Sequence, residues 1–155
     1  MRRILSACAL AAALAVPAAA LAGQRNDGTL SVKNGMGSVG VVARGALLGH
    51  CDRCTVVIDD PNPNDGSVSV VPLFTESRQL SDTKTSWSGN DLRFRVVGGF
   101  FRVKIVGNGI DVSAVTTAGG QAVLDGQGFS AGTYSIGGGP YVPMPILRAV
   151  VQFGS

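Results

Sequence analysis

The chain has 155 residues, of which 22 are glycine, 45% are hydrophobic and 15% are charged. The high apolar fraction excludes a disordered chain, and glycines without a three-residue period exclude a collagen-like one. The formal net charge of +3 includes Arg2 and Arg3, which sit in a segment that reads as an export signal. Without them basic and acidic residues nearly balance, so overall charge selects no partner.

Export is the first expectation along the chain. Met1-Arg2-Arg3 is positive, Ile4 to Leu21 carries no charge, and Ala20-Leu21-Ala22 has the small-x-small pattern of a cleavage site. Cleavage after Ala22 is predicted, giving a signal peptide over 1–22 and one domain over 23–155, long enough for its own core. Pro17 argues against a retained membrane anchor. Leu5-Ser6-Ala7-Cys8 lies too close to Met1 to serve as a lipobox. The expected location is secreted or cell envelope, with no stable membrane insertion once the signal is removed.

The mature part alternates with a period of two. Leu92, Phe94 and Val96 alternate with Arg93 and Arg95, and Phe101, Val103 and Ile105 alternate with Arg102 and Lys104. Gly98-Gly99 between the two runs suits a two-residue hairpin turn, because positive φ costs glycine little. Such a hairpin pairs Arg95 with Arg102 and Arg93 with Lys104, leaving one face apolar and the other cationic.

The same pattern occurs earlier. Leu30, Val32, Gly37, Val39, Val41, Ala43 and Gly45 match Leu92, Phe94, Gly99, Phe101, Val103, Ile105 and Gly107. After a slip in register, Val56-Val57-Ile58-Asp59 matches Ala122-Val123-Leu124-Asp125, and Gly66 to Val70 matches Gly132 to Ile136. An internal repeat over 28–72 and 90–138 is expected. Further strands are expected around Lys84 to Ser88 and from Leu147 to Phe153. The fold class is therefore all-β, a β-sandwich or closed barrel built from two duplicated four-strand units, with a β-solenoid as the alternative.

The export signal, G-T-L-S-V-K, V-x-V-x-A-R-G, D-P-N-P, R-F-R-V-V-G-G-F-F-R-V and the closing Y-S-I-G-G-G-P-Y-V-P together resemble a group of exported β-rich proteins of actinobacteria. The resemblance implies fold and location, and brings no activity with it.

Several spots could carry chemistry. His50-Cys51-Asp52-Arg53-Cys54 holds every cysteine and the only histidine of residues 23–155. A Cys51–Cys54 disulfide is the default after export. A redox pair would need a thiol of lowered pKa, and no helix pattern follows to supply it. A metal site could draw on His50, Cys51 and Cys54, though ligands so close in sequence suit tetrahedral geometry poorly. Asp60, Asn62 and Asn64 offer alternating oxygens, as in a calcium loop, but with prolines between them; an Asx- and Pro-rich turn explains them equally. Gly128-Phe129-Ser130-Ala131-Gly132 fits G-x-S-x-G without the helix or later histidine that a hydrolase needs. Trp87 could stack on a sugar or belong to the core.

Two function classes follow. One is an exported non-catalytic β-domain, without a cofactor, that binds anionic wall polymer or polysaccharide rather than nucleic acid through a basic hairpin face of Arg93, Arg95, Arg102 and Lys104. The other is a small redox or metal-handling protein acting through residues 50 to 54.

Overall fold

A computed structural model describes residues 28–72 and 75–154; the predicted signal peptide, with Cys8, lies outside them. Two very long strands dominate, β1 (Thr29–Asp59, 31 residues) and β4 (Lys84–Gly126, 43 residues). The shorter ones are β2 (Gly66–Val71), β3 (Glu76–Gln79), β5 (Thr133–Ile136), β6 (Val142–Pro143) and β7 (Ala149–Phe153). Straight, β1 alone would extend roughly 100 Å. Instead both long strands bend repeatedly around a common core.

The backbone ladder defines the path. β1 and β4 form an antiparallel ribbon from Thr29↔Val115 to Arg44↔Phe100, continuing from Ala46↔Val97 to Asp59↔Lys84. The ribbon also pairs with itself in other registers, from Gly45↔Thr116 to Asp59↔Arg102 and from Gly37↔Gly126 to Ala43↔Gly120. Arg44 thus pairs near one end of the 100–116 stretch while Gly45 pairs at the other. The ribbon must wind around the core for both to hold.

The result is a sandwich of two layers joined through bent strands. Layer one runs, side to side, β2, 92–97, 45–51, 110–116, 29–35, β5, β6. Layer two runs β3, 84–90, 53–59, 100–107, 37–44, 120–126, β7. The sheet does not close, which sets aside the barrel. Nor is it a solenoid. Successive turns of a solenoid stack on one another, whereas here neighbouring long arms are antiparallel and alternate between β1 and β4.

Exchanging the arms of one half for those of the other reverses this order and otherwise keeps it, except for the end strands β3 and β6, which have no counterpart. The exchange pairs 29–35 with 92–97, 37–44 with 100–107, 45–51 with 110–116, 53–59 with 120–126, β2 with β5, and 84–90 with β7. Equivalent inward positions are buried together: Val39, Val41, Phe101 and Val103 are at most 2% exposed. Alternation sends one side chain in two to this core, where burial of Leu47, Phe101 or Ile105 contributes about 1.5–3 kcal/mol each.

Glycine makes the bends. Gly45 and Gly107, at matching corners, have φ of 149° and 158°. A Cβ on Gly45 would overlap the Val115 carbonyl oxygen, and one on Gly107 that of Arg53. By contrast, a Cβ on Gly40 would meet only ordinary contacts with Val123. Gly45→Ala should therefore destabilise by at least about 1–3 kcal/mol, the usual cost of such a backbone conformation. Gly40→Ala should stay within about 0.5 kcal/mol of wild type. Denaturant melts of the two variants check the contrast, and equal losses would refute it.

Candidate functional site

The ladder relocates the basic residues expected on one hairpin face. Arg93 lies opposite His50 and Val71, and Arg95 opposite Leu48 and Ser69, in layer one. Arg102 lies opposite Val42 and Asp59, and Lys104 opposite Gly40 and Val57, in layer two. All four point outward, but on opposite faces of the sandwich. Gly98-Gly99, with φ of 84° and 62°, is a corner between layers and not a hairpin turn. The expected pairs Arg95–Arg102 and Arg93–Lys104 do not form, because longer-range ladders with β1 and β2 take those edges.

The layer-two face carries a groove of about 550 Å³. Side by side in register, Val57, Lys104, Gly40 and Val123 form its central row. Gly40 leaves a trough beside the lysine, and Val42 and Val106 extend the apolar floor. Lys84, Arg102 and Arg148 complete a basic rim, with Asp59 and Asp125 as the acids. The Asp59 side chain, 14% exposed, accepts a hydrogen bond from Thr83 Oγ1 at 2.8 Å and pairs with Arg102 at 3.5 Å and Lys84 at 3.7 Å. Arg102 also stacks on the Phe100 ring, 4.9 Å from its centroid. Lys104 and Arg148 form no ion pair among the described residues.

The layer-one face carries a second open groove of about 570 Å³. His50 sits between two carboxylates, its Nε2 2.8 Å from Asp91 Oδ1 and its Nδ1 3.9 Å from Asp111 Oδ2. Arg93 reaches Asp91 at 3.8 Å, while Arg95 has no ion-pair partner among the described residues. Beyond them Lys33 stacks over Tyr141 at 4.5 Å, and Ser31 Oγ lies 2.7 Å from the Tyr141 hydroxyl. The Ser31 hydrogen bond, with help from Lys33, holds this phenol below its ordinary value of 10.0 against a smaller opposing effect of desolvation.

The cysteines are a structural clamp. Cys51 and Cys54 are disulfide-bonded with Cα atoms 6.1 Å apart, bridging the corner between arms 45–51 and 53–59. Both are buried, at 0% and 6% exposure, whereas His50 points outward to Asp91. Strand alternation thus separates His50 from the sulfurs, so the three do not converge on a metal. Among the described residues no group of three or more His, Cys, Asp and Glu is arranged to hold one. In the Asp60, Asn62 and Asn64 segment, the Asn62 N–H donates to Asp60 Oδ1 at 3.2 Å and the Asp65 N–H to the Asn62 carbonyl at 3.1 Å. That is a turn held by its own side chain. Ser130 lies in the loop before β5, not on a strand-to-helix elbow. Trp87 is partly buried and packs against the core.

Sequence reasoning missed Lys84, Arg148 and Asp59 as neighbours of Lys104, and Lys33 with Tyr141 as a unit. Only the strand order brings them together. In that order Lys84 opens arm 84–90 and Arg148 directly precedes β7, its counterpart. Comparison with protein-family models, curated proteins and solved structures gives no match.

Two expectations follow. Replacing both Cys51 and Cys54 with Ala should cost on the order of 2 kcal/mol, the low end for a short closed loop, measured by chemical denaturation. Thiol titration of the unreduced wild-type domain should find neither group. Ser31→Ala should raise the Tyr141 pKa, read from phenolate absorbance. A depressed phenol pKa contributes stability that is fully present above the unfolded value near 10 and lost as pH falls through the folded value. The variant's loss through this titration should therefore appear only in alkali, and an unchanged phenol titration would refute the assigned cause.

Proposed function

We propose that residues 23–155 act outside the cytoplasm as a non-catalytic binding domain for an acidic polysaccharide of the cell envelope, held along the layer-two face. The observation that carries this reading is Lys104, standing without an ion-pair partner in the row Val57, Lys104, Gly40, Val123, with Arg148 likewise unmatched nearby. Valines and a glycine trough suit the C–H faces of sugar rings. A basic rim suits their carboxylates, which it attracts over distance and binds by charge-assisted hydrogen bonds. A polyol-phosphate polymer would satisfy the rim but lacks rings for the floor.

Export is supported by the signal-like segment over 1–22 and is compatible with the disulfide, which persists in oxidising compartments. No helix among the described residues is long and apolar enough to cross a membrane. An internal duplication of 28–72 and 90–138 is supported by the order of the long arms, which is kept when the halves are exchanged, apart from the unmatched end strands β3 and β6.

Titration with a short uronic-acid oligosaccharide, followed by chemical shifts of the layer-two residues, tests the reading. Lys104→Ser with Arg148→Ser should weaken binding at that face about tenfold, equivalent to about 1.4 kcal/mol. Raised salt should weaken it further, because exposed charges are screened. Equal binding by the variant, or by a neutral oligosaccharide, would remove this face as the site. Preference for a polyol phosphate of equal charge would replace the polysaccharide with a phosphate polymer.

A further inference from the structure

We infer that the layer-one face is a second site for the same class of acidic polysaccharide, so that one copy of the domain cross-links two polymer chains. This rests on the polymer class proposed above, and adds a site, a valency and a mechanical role.

The geometry begins in the sequence. Within 92–97 alternation turns Arg93 and Arg95 outward, about 6.8 Å apart along the strand. A hairpin at Gly98-Gly99 would have gathered Arg102 and Lys104 beside them. The corner instead carries the chain across the sandwich, and alternation resumes with Arg102 and Lys104 outward on the far face. One short stretch therefore supplies basic side chains to both faces.

Layer one has the elements of a polymer groove. Arg95, Leu48, Ser113 and Ser31 cross it in register, as do Arg93, His50 and Asp111, and Lys33 lies beside Asp111 at the bulge that follows Val32. Three strand spacings, about 14 Å, separate the arginine-bearing strand from the one that carries Lys33. Leu48 is 54% exposed and forms an apolar step between these basic edges. Tyr141, whose ring packs on Lys33, provides an aromatic surface on which a sugar can stack. Arg95 has no ion-pair partner among the described residues, and Arg93 meets Asp91 only at 3.8 Å with both side chains about 70% exposed. An exposed pair of that length binds weakly and yields to a bidentate carboxylate.

The faces point away from each other across two packed layers about 10 Å apart. A single stiff stretch of polysaccharide cannot lie on both. Two occupied faces on one copy therefore join separate chains or distant parts of one chain.

The experiment uses the mature domain and Arg93→Ser with Arg95→Ser, and separately Lys104→Ser with Arg148→Ser, each checked for an unchanged melt. Calorimetric titration with the short uronic-acid oligosaccharide should give two sites per chain for wild type and, for each variant, one site of wild-type affinity beside one weakened about tenfold. Beads coated with the full-length polymer should agglutinate with wild type, pass through a maximum as protein is added, and need about tenfold more of either variant to agglutinate. Light scattering sets the oligomeric state, since a single-faced dimer would also bridge beads. A single wild-type site that Lys104→Ser with Arg148→Ser weakens, or agglutination undiminished by loss of Arg93 and Arg95, overturns the second site while leaving the layer-two reading intact. Absence of binding at both faces overturns both.

Discussion

The structure depends on one continuous backbone ladder, the antiparallel ribbon that joins Thr29 to Val115 at one end and Asp59 to Lys84 at the other. A ribbon of this length leaves a row of unsatisfied N–H and C=O groups along each edge if it stays straight. Winding it around the core lets its turns satisfy one another: arm 45–51 meets both 92–97 and 110–116, and arm 37–44 meets both 100–107 and 120–126. The outer edges are covered in part by the short strands β2, β3, β5 and β7. Because nearly all pairing is between residues distant in sequence, loop-closure entropy must be overcome before the ladder forms, and this topology belongs to the slower-folding class.

Winding places the energetic burden on corners, where the chain leaves one layer for the other. The two halves close equivalent corners by different chemistry. Between 45–51 and 53–59 the first half uses the buried Cys51–Cys54 bond. Between 110–116 and 120–126 the second half uses Thr116, 8% exposed, whose hydroxyl lies 2.8 Å from the Gly119 carbonyl and 3.0 Å from that of Arg44. The Arg44 contact ties this corner to the neighbouring bend at Gly45. The single hydroxyl proton serves one of these carbonyls at a time, and Thr117 Oγ1, 3.4 Å from the Arg44 carbonyl, offers that acceptor a second donor. The disulfide in the first half holds its corner covalently. The same geometric demand is met by a bond in one place and by hydrogen bonding in the other.

The inward–outward phase of arms 29–35, 37–44, 92–97 and 100–107 was legible in the sequence, and so were the strands around Lys84 and before Phe153, whereas arms 45–51 and 110–116 were not read. The partners were not. Alternation around Gly98-Gly99 puts Val96 and Phe101 inward whether the chain reverses in a hairpin or turns a corner into the other layer. Local pattern is blind to that choice, which long-range pairing with β1 and β2 decides. The cysteine cluster shows the opposite case. Neighbours in sequence, His50 and Cys51, point to opposite sides of a strand, so their proximity along the chain produced a candidate metal site that alternation takes apart.

Fixed corners and a filled core leave the outward rows as the places where the halves are free to differ. In layer two the difference has a geometric consequence. Arms 37–44 and 100–107 occupy equivalent places and lie side by side at the centre of the layer. Outward on one are Arg102 and Lys104, and at the equivalent positions of the other are Gly40 and Val42. Had both arms carried arginine and lysine, four cations would crowd the centre of the sheet and repel one another at a cost of about 0.2–1 kcal/mol per directly opposed pair. Had both carried glycine and valine, the surface would be apolar and without charge selectivity. The difference between the adjacent arms instead sets a basic ridge beside a side-chain-poor trough. A symmetric strand order thereby acquires a groove with two chemically distinct sides, which is what an extended, charged and ring-bearing ligand requires.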